Sequence, residues 1–216
     1  MNLYLYDHCP YCVRAEMVAN YKQVNQQNIY LANDDEESCY KLIGAKVLPI
    51  LEHQGNTMGE SLDIAKRLDE LGDPEKIIAE GGHAKDVLEV LNQVNFSINC
   101  LLFPRNIRIG LPEFKTQSAQ DYFEGKKEKI IDMSFATAMD QTQEHIEKVE
   151  HALGQLPSLS LPSDRENTLS WDDVLVYPVL RNLTMVANLT FPDSVQAYID
   201  EVSKLTQTHT YFDKAI

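Results

Sequence analysis

Two cysteines separated by a proline and a tyrosine, Cys9-Pro10-Tyr11-Cys12, stand between the apolar run Leu3-Tyr4-Leu5-Tyr6 and a stretch of helical periodicity that begins at Val13. The run reads as a short buried strand that delivers the chain directly to a helix start. Pro10 suits the first helical position, where its missing N–H would have no partner in any case. A thiol at that point faces unpaired backbone N–H groups and the positive end of the helix dipole, both of which favour thiolate over thiol. Cysteines so placed have pKa values lowered to roughly 3.5 to 7.5, against about 8.5 for a free thiol. Cys9 is therefore expected to be a nucleophile at neutral pH.

A C-x-x-C pair has three common meanings: half of a zinc site, a redox dithiol, or two unrelated core residues. Zinc needs two further ligands, whereas Cys39 and His53 each stand alone and nothing has the spacing of a second ligand pair. Inert core thiols do not need placement at a helix start. Redox chemistry is the reading the residues favour, with no metal expected. In that chemistry Cys9, the more N-terminal and exposed thiol, attacks a disulfide sulfur to give a mixed disulfide. Cys12, one helical turn inside, is the resolving thiol that closes a redox-active Cys9–Cys12 disulfide. Cys39 and Cys100 are expected to be small core residues.

With 216 residues, 44% of them hydrophobic, the chain buries a sizeable core as one large or two compact domains. Four cysteines are too few for a secreted disulfide framework, which points to a reducing, cytoplasmic setting. No basic leader precedes a long apolar stretch, and no segment approaches the roughly 18 uncharged apolar residues of a membrane span. A formal net charge of −14 argues against nucleic acid, which needs clustered Lys and Arg.

Along the chain, helical spacing of Val13, Met17, Val18 and Tyr21 is followed by a second strand at Ile29 to Ala32 and by an acidic helix start at Asn33 to Glu37, ended at Gly44. Val47-Leu48-Pro49-Ile50-Leu51 reads as a strand with a proline inside, and His53-Gln54-Gly55-Asn56 as a hairpin turn into an edge strand at Thr57 and Met58. Ser61 is placed to cap a helix running to Leu71. Residues 1–72 thus form an α/β domain, residues 73–81 a linker, and residues 82–216 an all-helical domain. Helices are expected from about 83 to 103, stopped by Pro104, then from 118 to 156, 171 to 186 and 194 to 206. Ser170 and Asp173 resemble a capping box.

The run Cys9-Pro10-Tyr11-Cys12-Val13-Arg14-Ala15 resembles the active-site segment of dithiol glutaredoxins. Pro49 looks like the cis-proline of the thioredoxin superfamily, and Gly59-Glu60-Ser61 resembles the glutathione-anchoring motif of glutathione transferases. Tyr177-Pro178-Val179-Leu180-Arg181-Asn182-Leu183-Thr184 extends the likeness. Over nearly its whole length the chain is similar to the large two-domain bacterial glutaredoxins, whose architecture is transferase-like. The resemblance implies a thioredoxin-like N-terminal domain and an all-α C-terminal domain. It implies glutathione as co-substrate with no bound cofactor, glutathionylated or disulfide-containing proteins as partners, and glutathione reductase as the source of reduced glutathione.

On that resemblance Leu48 offers its backbone N–H and C=O to the tripeptide in the manner of an added strand, Pro49 turns the chain beside Cys9, and Ser61 and Glu60 hold the γ-glutamyl carboxylate and amine. Tyr11 is a candidate for packing on the glutathione edge or covering the thiol, and equally for simply filling space at a helix start. For the residues alone, Ser61 is equally an ordinary helix cap and Pro49 equally a trans edge-strand residue. His8 is a candidate for holding the thiolate when charged, and Arg181 for an interdomain or cap contact. Conjugation of electrophiles, as in glutathione transferases, is the second activity considered, and a redox-controlled interaction module the third. The second thiol, Cys12, favours redox work over conjugation. With no obvious hydrophobic dimer stripe, a monomer is expected.

Overall fold

The structure, a computed structural model, describes residues 1–216. It opens with strand β1 (Asn2–Leu5), helix α1 (Pro10–Tyr21), strand β2 (Gln27–Tyr30), helix α2 (Glu36–Ile43), strands β3 (Ile50–His53) and β4 (Asn56–Met58), and helix α3 (Ser61–Leu71). The strands form one sheet in the order β2-β1-β3-β4, with β1 and β2 parallel across the α1 crossover and the other pairs antiparallel. This is the thioredoxin-like arrangement the resemblance implied. Local chemistry accounts for its corners. Asp35 accepts the Ser38 N–H at 2.9 Å to start α2, and Gly44, at φ 72°, takes the left-handed conformation that ends it. Gln54 and Gly55, both at positive φ, turn the hairpin whose last pair is His53 with Asn56.

The strand expected over residues 47–51 begins only after its proline, at Ile50, because Pro49 has no N–H for a ladder between β1 and β4. The Leu48–Pro49 bond is cis.

Seven further helices follow: α4 (Ala84–Gln93), α5 (Asn95–Asn106), α6 (Gln117–Ile131), α7 (Phe135–Asp140), α8 (Thr142–Leu153), α9 (Trp171–Leu183) and α10 (Asp193–Thr206). The helix expected over 83–103 is two, bent at Val94, and α5 runs through Pro104 to Asn106. Arg105 next to it is buried, and its guanidinium donates to the Leu101 carbonyl at 2.8 Å, to the Ile216 carbonyl at 2.7 Å and to Thr142. The helix expected over 118–156 is three. Asp132 ends α6 at φ 51°, and Ser134 caps α7 by accepting the Thr137 N–H. The capping box at α9 forms as expected, Ser170 accepting from the Asp173 N–H and Asp173 accepting from the Ser170 N–H at 2.8 Å.

The two halves share one core. A single cluster of 45 buried residues runs from Leu3 to Tyr211, and α1 packs on α3 within its own half and on α9 and α10 of the other. The link between them is also pinned: Ala79 exchanges backbone bonds with Leu169 and Trp171, and Asp172 accepts the N–H groups of Gly82, His83 and Ala84 to start α4. No helix is long and apolar enough to cross a membrane.

Candidate active site

Cys9 occupies the N-cap position of α1, with Pro10 first in the helix and the chain bent so that the Cys9 N–H donates to the Tyr6 carbonyl. Its side chain is half-buried, whereas Cys12, one turn on, is 1% exposed and accepts the Tyr6 N–H at 3.3 Å. The thiol closes no capping bond of its own, but the thiolate is well served. The S–H of Cys12 donates to it, a charged His8 attracts it, and the N–H groups of Cys12 and Tyr11 face it. Together these outweigh burial and lower the Cys9 pKa to about 6. Burial and the neighbouring Cys9 sulfur push Cys12 well above the ordinary thiol range. The pair thus divides into a thiolate that is ready at neutral pH and a thiol held in reserve.

Sheet register gathers three segments at one edge. Because β3 runs antiparallel to β1 with Ile50 opposite Tyr4, the Leu48–Pro49 bond lies at the end of β1 that leads to Cys9. Strand β4 runs back towards that end, Met58 opposite Leu51, so Gly59-Glu60-Ser61 and the start of α3 arrive there too. The N–H and C=O of Leu48 have no hydrogen-bond partner in the protein, and neither does the Ser61 hydroxyl. Ser61 does not cap α3, contrary to the expectation from its sequence position. Glu60, exposed and at φ 65°, takes the N-cap place, and Ser61 is the first helical residue. Its hydroxyl and N–H are therefore free at a helix start, where an anion is stabilised.

Tyr11 stands on the opposite side of Cys9, 55% exposed, with the Arg14 guanidinium 4.7 Å above its ring. It opens onto a cleft of about 510 Å³ between α1 and the helical half, which Cys9 lines and which Leu48, Pro49, Glu60 and Ser61 do not. Tyr11 and the other four residues expected at the tripeptide are thus split between the two sides of the thiol.

The helical half clamps the turn before Cys9. Arg181, fully buried, donates to the Asp7 carbonyl at 2.9 Å and to its carboxylate at 2.8 Å, and Asn182 donates to the His8 carbonyl at 2.6 Å. Burial alone would raise the Asp7 pKa, but hydrogen bonding from His209 and the Arg181 charge hold it well below the usual carboxylate range. Glu113, also fully buried, accepts both the His8 backbone N–H at 3.0 Å and its Nδ1 at 2.5 Å. The interdomain contact expected of Arg181 is present. Glu113 carries no motif, and the sequence offered no signal for it; Asn182 lies inside the run Tyr177 to Thr184 that extends the resemblance, where nothing gave it a role. Cys39 and Cys100 are buried. No cluster of three or more His, Cys, Asp or Glu side chains suited to a metal ion is assembled.

Comparison with known proteins gives consistent results. Residues 86–215 match the family described as glutaredoxin 2, C-terminal domain, and residues 3–76 match the glutathione S-transferase N-terminal domain. The chain is 36% identical to glutaredoxin 2 of Escherichia coli K12, with 100% of both chains covered. The crystal structure of glutaredoxin 2 from Salmonella typhimurium in complex with glutathione superimposes with a TM-score of 0.90 at 35% identity, covering 100% of this chain and 98% of that one. A glutathione S-transferase of Ceriporiopsis subvermispora shares the fold at a TM-score of 0.64 and 15% identity, over 95% and 96% of the two chains.

Proposed function

The chain belongs to the glutaredoxin 2 family, and from that premise we propose that Cys9 is the attacking thiol and Cys12 the resolving thiol of its reaction. The activity is glutathione-dependent thiol-disulfide oxidoreduction, with glutathione as co-substrate. The observation that carries the division of labour is the pairing of a half-buried, acidic Cys9 with a buried Cys12 of raised pKa one turn behind it.

The Cys9 thiolate attacks the glutathione sulfur of a mixed disulfide. A Cys9–glutathione bond forms, the S–S bond of the substrate breaks, and the released thiolate leaves with the electron pair and takes up a proton. A second glutathione thiolate then attacks the enzyme-bound glutathione sulfur, giving glutathione disulfide and free Cys9. For protein disulfides, Cys9 attacks one sulfur, forming a Cys9–protein mixed disulfide as the protein S–S bond breaks and its other sulfur leaves as a thiolate; Cys12 then loses its proton and attacks Cys9, expelling the second protein thiolate and leaving the Cys9–Cys12 disulfide for two glutathione molecules to reduce. Glutathione lies along the sheet edge: its backbone pairs with Leu48 beside Pro49, its γ-glutamyl carboxylate sits at Ser61 and its amine at Glu60. Tyr11 covers the sulfur end. Residues 1–72 carry the thiols, residues 73–81 link, and residues 82–216 support them. Glutathionylated proteins are the substrates, glutathione reductase regenerates the reductant, and the setting is the cytoplasm.

The test is a deglutathionylation assay. Cys9→Ser abolishes turnover, and Cys12→Ser retains it on glutathione mixed disulfides while losing reduction of protein disulfides. An active Cys9→Ser protein overturns the assignment. Replacing Glu60 and Ser61 with Ala raises the apparent KM for glutathione severalfold; unchanged kinetics remove both from the site.

A further inference from the structure

Three carboxylates are buried in this chain, and two of them face guanidinium groups: Asp7 pairs with Arg181 and Asp173 with Arg165. Glu113, fully buried on the short helical turn Pro112–Phe114, has no such partner. Its ion pair is with His8, Oε1 to Nδ1 at 2.5 Å, and its Oε2 is buried with no hydrogen bond at all. A buried carboxylate with one oxygen unpaired is strongly unfavourable unless an opposite charge answers it. The charged form of His8 is the form that fits this contact.

The imidazole is gripped on several sides. The His8 backbone N–H donates to the same Glu113 oxygen at 3.0 Å, and its carbonyl accepts from Asn182 at 2.6 Å. Tyr6 stacks on the ring with the two planes 13° apart, and Phe114 and Phe123 lie with centroids 5.2 and 5.3 Å away. An aromatic face favours a cation over a neutral ring. Glu113 is itself tied down, its carbonyl accepting the Asn33 N–H at 3.0 Å. Of the other charges nearby, Arg14 and Lys127 also feel the Cys9 thiolate, but Glu113 is ion-paired with neither, and the Arg181 guanidinium is taken by Asp7. The groups that sense the Glu113 charge are Cys12, Tyr6 and Tyr211, none of them a cation.

Resting on the reading that Cys9 is the attacking thiol, we propose that Glu113 is a positioning residue for the reaction: from the helical half it holds His8 as an imidazolium beside the Cys9 sulfur. Glu113 touches no reacting atom. Its own negative charge disfavours a thiolate in its surroundings, and only through the cation it retains does it favour one. In the first half-reaction the imidazolium stabilises the Cys9 thiolate that attacks. In the second, Cys9 leaves with the electron pair as a glutathione thiolate attacks the enzyme-bound glutathione sulfur, and the same imidazolium stabilises the charge that reappears on Cys9. No proton passes through the pair in either step.

The test is the pH dependence of Cys9 alkylation by iodoacetamide in reduced full-length protein, measured through a double-mutant cycle of Glu113→Gln and His8→Asn. Glutamine keeps a carbonyl oxygen for both His8 N–H groups and removes the charge. In the wild-type background Glu113→Gln is expected to move the inflection upward by about half to one pH unit. In the His8→Asn background the same replacement is expected to leave it in place or move it downward, because there only an anion is lost. An inflection that stays or falls in the wild-type background overturns the proposal, since Glu113 then acts on the sulfur directly or not at all. A rise that persists in the His8→Asn background overturns it too, because it reports a distorted helix start and not a lost cation. If Glu113→Gln fails to fold, nitrogen-15 spectra of histidine-labelled wild-type protein decide the matter. Protons on both ring nitrogens of His8 while Cys9 is a thiolate are the expected result, and a bare ring nitrogen in that state overturns the proposal. Cys9→Ser protein alkylated as fast as wild type overturns the underlying thiol assignment instead.

Discussion

Around Cys9, the α/β half contributes groups from its immediate sequence neighbourhood, whereas the helical half contributes groups from far along the chain. Cys12, Tyr11 and His8 lie within three residues of the sulfur's own position, and they give the thiol its acidity. Arg181 reaches Asp7 and Asn182 reaches His8 across 174 residues, and Glu113 reaches His8 across 105. The first set makes a thiolate. The second holds the turn that presents it. A short motif is therefore sufficient to specify the chemistry of a nucleophile, while the direction in which it is offered depends on a second layer drawn from distant parts of the chain.

The strongest challenge to this division is Arg181→Met. Breaking one side of a buried ion pair leaves the Asp7 carboxylate with only His209 and Tyr211 as side-chain partners and costs about 3–5 kcal/mol. Urea denaturation is expected to show that loss, together with slower alkylation of Cys9; a loss below about 1 kcal/mol would mean that the clamp is ornamental to folding. A smaller change comes from His8→Asn. Because the Cys9 pKa is lowered, its alkylation rate rises as pH increases through about 6 and levels off above it. Removing the positive charge of His8 disfavours the thiolate and moves that inflection upward by about one pH unit, equivalent to about 1.4 kcal/mol. An inflection that stays near 6 would leave Cys12 and the helix start as the whole cause.

Ser170→Ala tests the helical half where its contacts are local. Loss of the α9 cap is expected to cost about 1 kcal/mol in thermal or chemical unfolding without moving the Cys9 inflection. A shift of that inflection would show that the start of α9 also governs the thiol, and the contrast between the halves would weaken.

Legibility in the sequence follows the same line. The Cys9 and Pro10 helix start, the Asp35 and Gly44 ends of α2, the Gln54-Gly55 turn and the Ser170–Asp173 box each depend on residues within a few positions of one another. All were readable. The bend at Val94 has neither glycine nor proline to mark it, and the break after Ile131 rests on an Asp in a left-handed conformation, which no pattern announces. Pro104 misled because a helix can run on through a proline at the loss of one backbone bond, here to the Cys100 carbonyl, and α5 ends only two residues later. Ser61 misled in the other direction: a hydroxyl of cap type stands one residue inside the helix, and its freedom there is what suits it to an anion. Asn92, Asn95, Asn99 and Asn106, which line the cleft beside Cys9, carried no signal, since a polar stripe on a helix ordinarily reads as its solvated face.

By itself the amino-acid sequence determined a thiol at a helix start, a second thiol one turn behind it, and an α/β layer followed by helices, because caps, turns and periodicity act over a few residues. Only the tertiary structure decided that buried Arg181 and Glu113 grip the turn before Cys9 and that a carboxylate-free cleft opens on its far side. Those features are pairings between residues a hundred or more positions apart, and they come into being only when the shared core closes.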